Sequence, residues 1–128
     1  MKFSKITLAA GMIGLTALAA CSEKVQSMDG SYRLVALDDK ATLVNPTLKI
    51  EGKRVSGTGA CNNFSGENKA EWPQVALSPL ATTRKACFEN AALEQTYFTA
   101  LDQASSAELT QNGIVLSGPG HKLQFTRE

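Results

Sequence analysis

Three cysteines and one histidine are the soft ligands and strong nucleophiles that this chain offers. Cys61, Cys87 and His121 together fall one short of the four ligands a structural zinc ion takes, and no C-x-x-C or H-x-x-x-H spacing joins them. A Cys–His nucleophile needs a reduced thiol beside its base, and His121, two residues past Pro119, reads as a surface histidine. The adjacent amides Asn62 and Asn63 suit either a polar binding spot or the backbone of an irregular turn. Arg84 and Lys85 suit an anion, although two neighbouring cations usually mark a solvated turn. Glu67, Glu71 and Glu89 are scattered and form no acid–base pair. The expectation is no catalytic residue, no metal and no cofactor.

The elements that position these residues follow from apolar periodicity. Tyr32–Leu37 reads as a first strand, with a turn at Asp38-Asp39-Lys40 and a break at Asn45-Pro46. Leu48–Glu51 and Arg54–Ser56 alternate around Gly52-Lys53, which signals a hairpin. The stretch Gly57–Gly66 is rich in small residues and reads as a bulge or a close backbone approach. Gln74–Leu77 reads as a short strand between the breaks at Trp72-Pro73 and Ser78-Pro79. A helix is expected from Asn90, as N-cap, to Ala104. Leu93, Tyr97, Phe98, Leu101 and Ala104 form its apolar stripe, with Glu94, Thr99 and Asp102 on other faces. Strands return at Ala107–Thr110, Ile114–Ser117 and His121–Thr126, with Asn112-Gly113 as a hairpin turn. Strands, helix, strands predict an α+β domain with one helix on a mostly antiparallel sheet.

Bulk properties agree with a single small domain. The 128 residues are 43% hydrophobic, 20% charged and 6% aromatic, which fits a globular domain and not a disordered or polytopic one. Thirteen basic against twelve acidic residues give a net charge of +1, with no electrostatic footprint for nucleic acid.

The first twenty residues read differently. Lys2 and Lys5 precede the apolar run Ile6–Ala17, too short to span a bilayer but the length of a secretory signal core. Leu18-Ala19-Ala20-Cys21 resembles the lipobox of bacterial lipoproteins. That likeness implies cleavage before Cys21, lipidation of its thiol and amine, and, with Ser22 next, sorting to the outer membrane; which leaflet the domain faces stays open. Residues 1–20 are thus expected to be a signal peptide, 21–31 a lipidated tether and 32–128 the folded domain. Losing Lys2 and Lys5 leaves eleven of the thirteen basic residues and a net charge near −1, which as a bulk value gives no reason to expect binding to DNA, RNA or an anionic lipid surface.

Two segments carry a family likeness. Gly59-Ala60-Cys61-Asn62-Asn63-Phe64-Ser65-Gly66 and Leu80-Ala81-Thr82-Thr83-Arg84-Lys85-Ala86-Cys87 resemble the paired signatures of the META domain, the HslJ-like family of bacterial envelope lipoproteins. The motif positions are Gly59, Asn62, Phe64 and Gly66 in the first, and Thr83 and Cys87 in the second. The resemblance implies a curved antiparallel sheet, close to a cracked barrel, with one packed helix. It brings no catalytic residues, and links members with heat shock, novobiocin tolerance, motility and virulence. With one cysteine in each signature and an exported domain, a Cys61–Cys87 disulfide is expected; two buried thiols are the alternative.

The leading functional expectation is a lipid-anchored, non-enzymatic envelope protein that supports stress tolerance by binding or by a structural role. Its contacts would be the membrane, through Cys21, and an envelope protein or small apolar ligand, not nucleic acid. A second reading is a pilotin-like or chaperone-like carrier holding an acyl chain or peptide in the cracked barrel. A third, an enzyme inhibitor, rests only on exposure of the Asn62-Asn63 loop.

Overall fold

The structure, a computed structural model, describes residues 26–128 and, ahead of them, Gly11 and Gly14. The signal segment 1–20 and the lipidation position Cys21 lie outside the described residues.

Among the described residues nine strands and one helix follow one another: β1 (Gly30–Leu37), β2 (Lys40–Ala41), β3 (Thr47–Glu51), β4 (Arg54–Thr58), β5 (Asn63–Glu67), β6 (Ala81–Thr82), α1 (Ala91–Gln103), β7 (Ser106–Leu109), β8 (Gly113–Ser117) and β9 (Lys122–Arg127). All pairings are antiparallel, in the order β6-β5-β4-β3-β1-β9-β8-β7, with β2 as a short extra partner of β1. The order is that of an open sheet whose end strands are β6 and β7. The β7 edge is covered by the preceding loop. Gln74 bridges to Ser106, Val75 N–H donates to Ser105, and Ala107 N–H donates to the Pro73 carbonyl. The segment expected as a strand at Gln74–Leu77 is reduced to that single bridge, because Pro73 and Pro79 remove donors on either side.

Period-two alternation sends Tyr32 and Leu34, Leu48 and Ile50, Ile114 and Leu116, and Leu123 and Phe125 to one face. The helix covers that face with Tyr97, Ala100 and Leu101. Tyr97 satisfies its buried hydroxyl by donating to the Thr47 carbonyl at 2.8 Å. Val75 and Leu77 of the long loop complete the core. That loop is organised by Asn68, fully buried, whose Oδ1 accepts from Ala70 and Ala76 N–H while its Nδ2 donates to the Gln74 carbonyl.

Several local expectations need correction. The strand start moves back to Gly30, and Met28 is buried beneath Tyr32, whose hydroxyl donates to the Met28 carbonyl; the segment read as tether therefore ends inside the fold. Asn90 makes no side-chain cap and sits at φ 59°, in the left-handed region that Asn tolerates. Glu94, expected on a face other than the apolar stripe, is buried together with Tyr97 and Leu101. The stretch Gly57–Gly66 contains a true strand, β5. The β7–β8 loop runs through Thr110–Asn112, and Gly113 already pairs with Thr126. A Cβ there would stand 1.9 Å from the Phe125 carbonyl oxygen, so the glycine serves cross-strand approach and not the turn.

Candidate functional site

The two motif segments meet at the first turn of α1. Between Thr58 and Asn63, paired across β4 and β5, four residues close the hairpin: Gly59-Ala60-Cys61-Asn62. Gly59 N–H donates to the Asn62 carbonyl at 2.7 Å. This turn aims two successive main-chain N–H groups, of Cys61 and Asn62, at Oε1 of Glu94, at 2.8 and 2.5 Å. Successive backbone donors of this kind form an anion-binding concavity. Here the anion is the protein's own.

Gly59 is glycine because of that carboxylate. A Cβ on Gly59 would lie 2.6 Å from Glu94 Oε1, 2.7 Å from Glu94 Cγ and 2.9 Å from Phe98 Cζ. Asn62 then ties Glu94 to the second motif. Its Nδ2 protons go to Glu94 Oε2 at 2.8 Å and to the Lys85 carbonyl at 3.2 Å. Its Oδ1 accepts from Thr83 Oγ1 at 2.9 Å and from Lys85 N–H at 2.6 Å. Both donors and both acceptor directions of the amide are therefore in use. Thr83 also accepts from Asn63 N–H through Oγ1, and its own N–H donates to the Asn63 carbonyl.

A disulfide joins Cys61 to Cys87, with Cα atoms 6.1 Å apart. Its Cys87 sulfur lies 3.3 Å from Asn62 Nδ2 and 3.5 Å from Glu94 Oε2; bridged, it carries no proton to donate. The strap Ala81–Asn90 is exposed apart from half-buried Cys87. It is held at three places: the β6 pairing, the Asn62–Thr83–Lys85 bonds and the disulfide. Beneath it Phe64 meets Tyr97 and Phe98 edge-on, ring centroids 5.9 and 5.8 Å apart. Gly66 leaves room for Leu80, whose Cδ2 would stand 2.6 Å from a Cβ at Gly66.

Electrostatically the carboxylate is stabilised by dipoles. Burial raises the pKa of Glu94, but hydrogen bonds from the Asn62 main chain, the Asn62 side chain and the Cys61 main chain outweigh it, and the group is held below the usual glutamate range. A position in the first helical turn adds to the same effect. Held ionised by donors that the fold supplies, Glu94 acts as a structural acceptor.

The other singled-out residues lie apart. His121 pairs through Nδ1 with Asp38 Oδ2 at 2.7 Å, at the β1–β2 turn. Glu71 pairs with Lys53, Glu67 lies opposite Arg54, and Glu89 is exposed on the strap. Arg84 and Lys85 are exposed, and Lys85 enters the hub only through its main chain. Among the described residues no three of His, Cys, Asp and Glu converge as a metal-ion cluster, and no buried side-chain polar atom lacks a partner. Glu94 is the residue missed by sequence reasoning. Its signal was its spacing: three and four residues before Tyr97 and Phe98, it falls on their stripe.

Among curated proteins none matches the chain significantly. Solved structures do. A protein from Burkholderia xenovorans, determined by NMR, is 22% identical over 79% of this chain and 83% of its own, with a TM-score of 0.63. A second protein determined by NMR is 25% identical over 80% of this chain and 92% of its own, with a TM-score of 0.64. Both share the fold. The family match covers residues 23–128, both motif segments and the helix between the β-rich halves, and the chain belongs to the META domain family.

Proposed function

We propose that the protein is a lipid-anchored, non-enzymatic component of the cell envelope that supports tolerance of heat or antibiotic stress through binding or a structural role. The observation that carries this reading is the hub itself. Its disulfide suits an oxidising compartment, and its carboxylate, amide and hydroxyl are all committed to holding two segments on the helix, which leaves no acid, base or nucleophile free there. The order Lys2, Lys5, Ile6–Ala17, Leu18-Ala19-Ala20-Cys21 supports export with lipid at Cys21, and acyl chains on one residue suffice for stable anchoring when two or more are present. Ser22, after the lipidation position, supports outer-membrane sorting. A carrier that holds an acyl chain or peptide in the open sheet is the second reading; the burial of Tyr97 and Leu101 between helix and sheet favours the first.

The test is metabolic labelling with palmitate in a cell that expresses the full chain. Label should enter the protein, fractionate with the outer membrane, and vanish with Cys21→Ser. Heat and novobiocin survival of a strain lacking the gene should return with the native chain and not with Cys21→Ser. Unlabelled protein, or survival independent of Cys21, contradicts the reading.

A further inference from the structure

Among the described residues two large apolar side chains are almost wholly exposed, Leu43 at 98% and Phe88 at 97%. They come from distant segments and stand at the same end of the molecule. Leu43 lines a shallow depression with Leu37, Ala41 and Leu93, Phe88 lines the next one with Ala60 and Ala86, and Asn90 borders both. Exposed apolar residues scattered singly need no explanation; two converging on one pole do.

The charges around them are unequal. Asp38 and Asp39 at this pole are already paired with His121 and Lys122. Lys40 beside Leu43, and Arg84 and Lys85 beside Phe88, are exposed and form no ion pair within the described residues, leaving Glu89 as the acidic residue of the strap to set against three cations. The pole is apolar at its tips and cationic at its rim.

We infer that the Leu43–Phe88 pole docks on an anionic phospholipid surface, with both side chains entering the interface and Lys40, Arg84 and Lys85 meeting headgroup phosphates. Each side chain stands at the rim of its shallow depression and is exposed on nearly every side, so a partner must envelop it; a fluid apolar boundary does this without shape demands, and basic residues around apolar tips suit it electrostatically. The described chain enters the fold at the opposite end of β1. Asp29 binds the Gly52 turn and Gly30 pairs with Ile50 at the far end of β1, seven residues, roughly 23 Å, from Leu37.

Depth probes in the full chain test this. Leu43→Trp and Phe88→Trp are made separately, with Gln111→Trp, on the exposed β7–β8 loop, as control; the unsubstituted chain supplies the Trp72 background. On vesicles of phosphatidylcholine and phosphatidylglycerol, emission at 43 and 88 shifts to the blue and is quenched by doxyl-labelled lipid, while that at 111 is not. Neutralising Lys40, Arg84 and Lys85 to Gln reduces the docked population measured at 88 by about fivefold per cation. Leu43→Ser reduces it by about tenfold or more. Solvent-like emission at both positions, or equal quenching at 111, overturns the proposal. So does emission that shifts only with an acidic amphipathic peptide, which reassigns the pole to a protein partner. Circular dichroism melts confirm that each variant is folded.

Discussion

Glu94 and Asp38 are two carboxylates doing the same job in different surroundings. Glu94 accepts from two main-chain N–H groups and one amide; Asp38 accepts from His121 and from Lys122 N–H. Both are held below the usual carboxylate range, Glu94 by hydrogen bonds that outweigh its burial and Asp38 chiefly by the His121 bond. The difference is solvent. Glu94 is 7% exposed, whereas the Asp38 side chain is 38% exposed. Water can replace the partners of Asp38 at little cost, while nothing can replace Glu94 beneath the strap. A hydrogen bond's geometry therefore says less about its weight than what would remain if one partner left.

Breaking the buried member should have the largest effect. Glu94→Ala strands the Cys61 and Asn62 N–H groups and one Asn62 amide proton, and should cost about 3–5 kcal/mol in urea unfolding. Next comes the cross-link. Cys61→Ala with Cys87→Ala releases a loop with sequence separation 26, for which chain entropy predicts a loss of about 3.5 kcal/mol. Gly59→Ala pushes a methyl against Glu94 and Phe98 and should cost about 1–3 kcal/mol; in a Glu94→Ala background the same change should cost less, because the carboxylate is gone. Asp38→Asn should leave the urea midpoint almost unchanged.

Acid sharpens the comparison. A carboxylate whose folded pKa is depressed stabilises the fold above its unfolded pKa, and that contribution is lost as pH falls through the folded value. Stability should thus decline as pH drops below the ordinary glutamate range, and Glu94→Gln should flatten the decline far more than Asp38→Asn. Urea midpoints across that range, for the three chains side by side, provide the check.

Much of the frame was legible in the amino-acid sequence. Tyr32 and Leu34, Leu48 and Ile50, and Leu123 and Phe125 declare their strands by period, and Tyr97 and Leu101 declare the helix. Gly52-Lys53 marked its hairpin, and Gly52 indeed takes φ 61°. What escaped was set by tertiary contact. Glu94 does not declare its burial, because a charge on an apolar face is expensive and only the distant β4–β5 turn supplies the donors that remove the penalty. β5, with Asn63, Ser65 and Gly66, has poor strand propensity and is made a strand by β4 and Phe64. β2 and β6, two residues each, have no period to read.

Glu94 is an ionised internal acceptor around which both motif segments are built. Its side-chain carboxyl carbon can be followed by NMR during an acid titration, with Glu94→Gln to assign the signal. Its midpoint should fall below the ordinary glutamate range, with the amide protons of Cys61 and Asn62 shifting at the same pH. A Glu94 midpoint at or above the ordinary glutamate value, or Cys61 and Asn62 amides indifferent to it, would mean that Glu94 is not the ionised centre of the site.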